Sequence, residues 1–445
     1  MTQDQKVAES SIRRGSESTF PGPWLSFVRE IAQIDFCRQV AGTYATQISA
    51  LVLGLLVSIA VARSLGPAGR GEYAVAMAIG TLGVQFGNLG LHASNTFQVA
   101  TDRRHLPVLL ANSLATSLLI GGTYAVLLVA LFLVRPSLMP VHGALLELSL
   151  SWVPIGLAYL LTQNLLIGIQ DIRAYNITEL VNRIGCLCLV LAIIFCKNPS
   201  PKLLFLASLT ALAFSLSYAL NRLRRYCVSR PAPSWHVFRN GLGFGFRAYL
   251  SAFLAYLVLR SDLFLVQYRL GAAQAGYYSI ASSLADYLIL FPSTVGAMLF
   301  PRLAVTPDIV RKALLTRKAV IGTASIMLPL LLGAVMLARP VVRVMFGAAF
   351  LPSAAAFVWL IPGIFALSLE IVIVQPLNSM GFPKEVIGIW IITTIVNVGA
   401  NLWAIPTYGI VGASIVSSIS YGLALFLLVA LAGWRHYSLL RPLCE

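Results

Sequence analysis

The chain is 445 residues long, 58% apolar and only 11% charged, with a mean hydropathy of +0.82. A soluble domain carries about 25% charged residues, so there is too little Lys, Arg, Asp and Glu here to cover a water-exposed surface. An ordinary cytosolic enzyme is excluded, and uncharged runs this long need lipid as their solvent.

The net charge of +16 comes from 32 basic against 16 acidic residues. In a soluble chain that excess would suggest nucleic-acid binding. Here the basic residues fall in short segments between apolar runs, which is a topology signal and a pointer to an anionic substrate, with no nucleic acid as partner. The six cysteines show no metal spacing; Cys186 and Cys188 point to different sides of one apolar run and read as small filler. The first 20 residues are polar and do not read as a secretory signal.

In chain order, residues 1–39 read as a cytoplasmic tail, disordered over 1–20 and then an interfacial amphipathic helix over 22–39. Its apolar side holds Trp24, Phe27, Ile31 and Ile34, against Arg29, Glu30, Asp35 and Arg38. Twelve stretches are long and apolar enough to cross a bilayer, which takes about 20 residues each. They lie near 40–62, 73–97, 106–134, 144–169, 176–196, 203–220, 248–268, 277–300, 319–338, 353–378, 385–405 and 408–433. The expected fold is therefore an all-α polytopic membrane protein. A basic cytoplasmic linker, 221–247, divides a six-helix lobe at 40–220 from a second at 248–433, and 434–445 is a tail. With the N-terminus inside, 22 Lys and Arg fall on the inner side and 8 on the outer, so both termini are expected in the cytoplasm.

A repeat supports the division. Leu65-Gly66-Pro67-Ala68-Gly69-Arg70-Gly71-Glu72-Tyr73-Ala74-Val75-Ala76 matches Leu270-Gly271-Ala272-Ala273-Gln274-Ala275-Gly276-Tyr277-Tyr278-Ser279-Ile280-Ala281 at six of twelve positions, at a constant offset of 205. An even number of spans separates the copies, so the halves are parallel repeats with a cavity expected between them, the plan of an alternating-access transporter. The alternative is a shared hairpin in which the glycines only permit a tight connection.

These residues resemble the polysaccharide flippases of the multidrug/oligosaccharidyl-lipid/polysaccharide exporter superfamily. The first hairpin, Val61 to Tyr73, is similar to that family's A-R-x-L-G-P-x-x-x-G-x-Y opening. Arg260-Ser261-Asp262, Leu270-Gly271, Gly276-Tyr277-Tyr278, Phe291-Pro292 and Leu299-Phe300-Pro301-Arg302 resemble the start of its second lobe. Phe346-Gly347, Gly381-Phe382-Pro383, Asn397, Ile405-Pro406, Gly409-Ile410-Val411-Gly412-Ala413 and Ser420-Tyr421 resemble its C-terminal signature. The resemblance implies a flippase in the bacterial inner membrane. It would carry an undecaprenyl-pyrophosphate-linked oligosaccharide to the outer leaflet for O-antigen, capsule or exopolysaccharide, beside the polymerase and glycosyltransferases of the same pathway. A cation-coupled multidrug exporter of the same superfamily shares the fold and is the alternative.

Ionisable groups inside spans are functional candidates by default. Arg260 lies near the midplane and offers forked, permanent donors to a substrate phosphate; the alternative is a bridge to Asp286 on the next span. Glu179 and Arg183 stand i,i+4 in the favourable order for a helix pair, and Arg183 is also a candidate for a cationic entrance. Gln47, Gln85 and Asn88 are candidates for sugar hydroxyls or, equally, for interhelical bonds. Asp262, Asp286 and Glu370 are candidates for proton or Na⁺ coupling. No other cofactor is expected: the histidines have no metal spacing, and no phosphate-binding G-x-x-x-x-G-K-[ST] loop or enzyme constellation is present.

Overall fold

The structure is a computed structural model that describes residues 23–381 and 383–440. The chain divides into two units: one runs up to Ser49, and the other, from Ala50 on, holds the body of the bundle. The tail expected to be disordered over 1–20 lies outside the described residues. The interfacial helix expected over 22–39 falls in the first unit, where the backbone is helical from Pro23.

Every long element is a helix. They are α1 (Pro23–Asn88), α2 (Leu91–Thr101), α3 (Leu106–Val134), α4 (Ala144–Gly168), α5 (Ile172–Phe195), α6 (Pro201–Arg224), α7 (Trp235–Leu270), α8 (Ala272–Ala304), α9 (Ile309–Met345), α10 (Pro352–Ile373), α11 (Gln375–Ser379) and α12 (Lys384–Leu440). Among the described residues, 10 helices are long and apolar enough to cross a membrane. Two of them, α1 and α12, break at Gly66 and Gly409, where φ is 67° and 63°, so each supplies two of the twelve expected spans. The third expected span, 106–134, coincides with α3.

Elsewhere the helices outrun the apolar stretches. The linker expected over 221–247 shrinks to about 225–234, because α7 already begins at Trp235. Its first turns have something to bury: Phe238 and Leu242 pack on a cluster of Val84, Leu91, Leu157 and Leu161. The Asn112 amide brackets the Ser234 backbone from α3, accepting from its N–H at 2.8 Å and donating to its carbonyl at 3.0 Å. Likewise α9 spans 309–345 rather than 319–338, carrying Arg311, Lys312, Arg317 and Lys318 on its leading turns. Hydropathy marks only the part of a helix that lipid touches, and these turns are held by packing instead, Leu315 and Ala319 of α9 lying against Leu299, Leu303 and Val372.

The outward faces are apolar, with Leu118, Leu119, Val126, Leu127, Leu133 and Val134 of α3 all exposed. In a soluble protein such a face would be an aggregation site; here it is the lipid contact.

The repeat has a distinct physical basis at each of its two glycines. Gly66 and Gly271 occupy equivalent positions and the same backbone conformation, φ 67°, ψ −176° and φ 83°, ψ 178°. That region is closed to residues with a Cβ except at a cost of about 1–3 kcal/mol. The second glycine of each copy makes a contact between the copies. A Cβ on Gly71 would lie 1.8 Å from the Ala272 carbonyl oxygen, and one on Gly276 would lie 1.9 Å from that of Pro67. Position 71 corresponds to 276 and position 67 to 272, so the contact is reciprocal. The glycines therefore do more than permit a tight turn: the two hairpins pack backbone to backbone. We call this the hairpin end of the bundle and the opposite side, with residues 225–234, the linker end.

Gly271→Ala meets no atom within 4 Å, so it should cost only the backbone term, about 1–3 kcal/mol. Gly276→Ala must push a neighbouring backbone away and should cost more, which thermal unfolding of the purified variants in detergent would rank. At the linker end, Asp171 caps α5 through Ala174 N–H (3.0 Å) and accepts from Arg222 Nε (2.8 Å) and Tyr226 Oη (2.9 Å). Burial alone would raise its pKa, but these donors hold it below the ordinary carboxylate value. A depressed carboxylate stabilises the fold above its unfolded pKa and loses that stabilisation as pH falls through the folded one. Wild type should therefore lose its advantage over Asp171→Asn only below about pH 4, read as melting temperature against pH.

Candidate functional site

Below the paired hairpins lies a cavity of about 590 Å³ lined by α1, α4, α5, α6, α7 and α8. Two of these helices present a polar stripe at i, i+3, i+4, i+7 in an otherwise apolar surface. On α5 it is Glu179, Asn182, Arg183 and Cys186; on α8 it is Ser279, Ser282, Ser283 and Asp286. That spacing keeps all four side chains on one face. From α1 come Arg70, Tyr73, Thr81 and Gln85, from α4 Trp152 and Tyr159, and from α7 Tyr256 and Arg260, one turn apart.

The polar groups are tied in pairs. Arg260 Nη2 donates to Asp286 Oδ2 at 2.7 Å, and Arg183 Nε donates to Glu179 Oε1 at 2.9 Å. Glu179 Oε2 also accepts from Tyr159 Oη at 3.0 Å, which in turn accepts from Gln163 at 2.7 Å. The Tyr256 hydroxyl donates to Thr81 at 2.8 Å, linking α7 to α1, and the Arg260 guanidinium stands 5.9 Å from the Tyr256 ring centroid. Tyr73 Oη and Ser208 Oγ are 2.9 Å apart.

Three arginines thus line the cavity against two carboxylates, leaving one positive charge in excess. The unbalanced one is Arg70. Among the described residues the ion pairs are Arg183–Glu179, Arg222–Asp171 and Arg260–Asp286, and Arg70 is in none.

The expected site residues separate clearly. Arg260, Arg183, Gln85 and Asp286 line the cavity. Arg260 lines the cavity and bridges to Asp286 at the same time. Asn88 is buried away from the cavity, its Oδ1 accepting from the His92 backbone at 3.3 Å. Gln47 falls in the first unit and is exposed. Asp262 is 1% exposed and accepts from the Tyr278 hydroxyl, from Ser417 Oγ at 2.9 Å and from the Leu263 N–H at 2.8 Å. It borders a void of about 20 Å³ shared with Arg260 and Asp286. Glu370, 3% exposed on α10, borders neither space. Among the described residues no three His, Cys, Asp or Glu side chains cluster to hold a metal.

Sequence reasoning misses Arg70, Tyr159, Asn182 and Tyr256. The polar stripe on α5 is a signal that could have revealed Asn182. Arg70 reads as a loop charge until the hairpin is seen to fold inward.

Residues 60–355 match the family described as polysaccharide biosynthesis protein. The chain belongs to that family. No curated protein sequence matches it. Among solved structures, this family member is similar to a multidrug resistance MATE family transporter of the MOP superfamily in an inward-facing conformation. The TM-score is 0.69 at 15% identity, covering 88% of this chain and 96% of that one. It is equally similar to the lipid II flippase MurJ in an inward closed conformation, with a TM-score of 0.69 at 14% identity over 88% of this chain and 87% of that one. A MATE transporter from Vibrio cholerae gives 0.56 at 17% identity, over 91% and 98%. At these identities the likeness is one of fold. The family and the fold together make this a multi-pass membrane protein with the architecture of that superfamily.

The surroundings of Asp262 generate an expectation of their own. Asp262→Ala removes the acceptor shared by two buried hydroxyls, Tyr278 and Ser417, at about 1–3 kcal/mol for each hydroxyl left unpaired. Asp262→Asn keeps an acceptor. The melting temperature of the alanine variant should therefore fall well below that of the asparagine variant.

Proposed function

We propose that the protein is a flippase for an undecaprenyl-pyrophosphate-linked oligosaccharide in the bacterial inner membrane. The observation that carries this reading is a polar cavity with an excess of positive charge in a member of a polysaccharide biosynthesis family. An anionic headgroup enters such a cavity favourably, while sugar hydroxyls find partners in Gln85, Asn182 and the serines of α8. The segments 40–220 and 248–433 act as two lobes that rock about the cavity, with both termini in the cytoplasm and the linker end inward. Fifteen per cent identity to a transporter supports the scaffold only; the charge of the site supports the substrate class.

Within this reading Arg260 and Arg183 take up the substrate phosphates by exchanging their carboxylate partners for phosphate oxygens, a like-for-like swap of forked acceptors. The released Asp286, or Glu179, is then a carboxylate without its counter-ion inside the membrane, the condition a coupling ion would relieve. Asp286 is thus the best placed of the coupling candidates, with Asp262 one small void away and Glu370 apart. The polymerase and glycosyltransferases of the same pathway are the expected partners.

A multidrug exporter for organic cations is the other reading, favoured by the two carboxylates in the cavity wall. Each is neutralised by an arginine, so neither offers a free negative charge to a cation.

The test removes the pair as a unit, so that no lone charge is left behind. Arg260→Ala/Asp286→Ala should abolish surface polysaccharide while the protein stays at normal abundance in the membrane, and Arg260→Lys should retain part of the output. Normal glycan from the double variant would show the pair to be a structural bridge. Drug resistance on overexpression, with intact glycan on deletion, would replace the flippase with the exporter.

A further inference from the structure

Arg70 is the one cavity arginine without a carboxylate. It is 6% exposed and lines the cavity at its hairpin end. Its Nη2 donates to Ser58 Oγ at 3.2 Å, and its guanidinium stands 5.7 Å from the Tyr73 ring centroid. Its Nε is buried and has no hydrogen-bond partner.

A guanidinium held away from water without a counter-ion is costly, and the repeat shows that the hairpin does not need it. The equivalent residue of the second copy is Ala275, which is fully buried in the hydrophobic core rather than in the cavity wall. Both copies turn at the same glycine conformation and meet through the same backbone contact. The fold is therefore served by alanine at this position, and the arginine is present for something other than the hairpin.

We propose that Arg70 is an anion-binding residue that receives a phosphate or diphosphate group at the hairpin end of the cavity. Its vacant Nε–H and its forked donors match phosphate oxygens. The paired arginines, Arg183 and Arg260, must give up a carboxylate to bind an anion; Arg70 gives up nothing and gains the charge it lacks. It is thus the strongest single attractor for an anion in the cavity wall. It also adjoins Gly71, whose backbone is in contact with Ala272, so an anion seated on Arg70 pulls on the residue next to the hairpin contact. The identity of the anion as a lipid-linked headgroup rests on the flippase reading; the anion site itself does not.

The experiment uses the full-length protein in detergent, titrated with two probes, a polyprenyl pyrophosphate and inorganic pyrophosphate, with binding read as thermal stabilisation. Arg70→Gln and Arg70→Ala are compared with wild type. Since alanine already fills the equivalent site, Arg70→Ala should melt no lower than wild type without ligand. Both variants should bind the polyprenyl probe at least about tenfold more weakly, the loss of one charge-assisted contact. Variants that bind both probes as tightly as wild type would overturn the assignment while leaving the flippase reading intact. So would a destabilised Arg70→Ala accompanied by a fully binding Arg70→Gln, which would make the arginine structural. Arg70-dependent binding of inorganic pyrophosphate alone would keep the anion site and remove the lipid-linked ligand. Failure of wild type to bind either probe would overturn the site.

Discussion

The bundle depends on the place where two peptide backbones touch. Helices that meet through side chains stand about 8–10 Å apart; here the absence of a Cβ at Gly71 and Gly276 brings the α1 and α8 hairpins to van der Waals contact between main chains. The contact is reciprocal because both segments have the same conformation, which Gly66 and Gly271 alone make possible. With the hairpin ends pinned together, the helices that lead away from them enclose a space, and that space is the cavity. Lipid offers no hydrophobic drive to hold helices together, so close packing of small residues is what remains.

The second constraint is charge. Lipid admits ionised groups only where protein or trapped water compensates them, and the cavity does this pairwise. Glu179 with Arg183 and Arg260 with Asp286 each form a neutral unit. Under the flippase reading such units are exchangeable, since a phosphate oxygen offers arginine what a carboxylate oxygen offers. The wall is therefore at rest when empty and has a single uncompensated charge, on Arg70. A site for organic cations would carry the opposite imbalance.

Much of this is legible in the residues, and the part that is not has a physical reason. The spans can be read because lipid imposes one rule on every exposed side chain, and α3 matches from Leu106 to Val134. The repeat can be read because positive φ with extended ψ, as at Gly66 and Gly271, is essentially reserved for glycine. Helix ends cannot, because Phe238 and Leu242 on α7 are held by packing on α1, α2 and α4, which no local pattern announces. The site is half legible. A charge inside a span identifies itself, so Arg260, Asp286, Glu179 and Arg183 stand out. Whether it faces a cavity or a neighbouring helix depends on rotation about the helix axis, which is why Asp262 and Asp286, both acidic and both near the midplane, end in different surroundings. Arg70 is hidden for the converse reason: its neighbours Gly69, Gly71 and Pro67 mark a turn, and a charge in a turn looks solvated.

Fold likeness divides evenly between a drug transporter and a lipid flippase, each at a TM-score of 0.69, so architecture cannot choose between cargoes. What differs between such cargoes is the sign of the charge that must be desolvated on the way in. A cationic drug is met by an acid that is free; an anionic headgroup is met by a base that is free. In this chain each carboxylate of the cavity wall already accepts a hydrogen bond from an arginine, and one arginine has no carboxylate. Under the flippase reading, the unpaired guanidinium in a wall of neutral pairs favours anions over cations, so that a single residue, rather than the shape of the bundle, sets the choice of cargo.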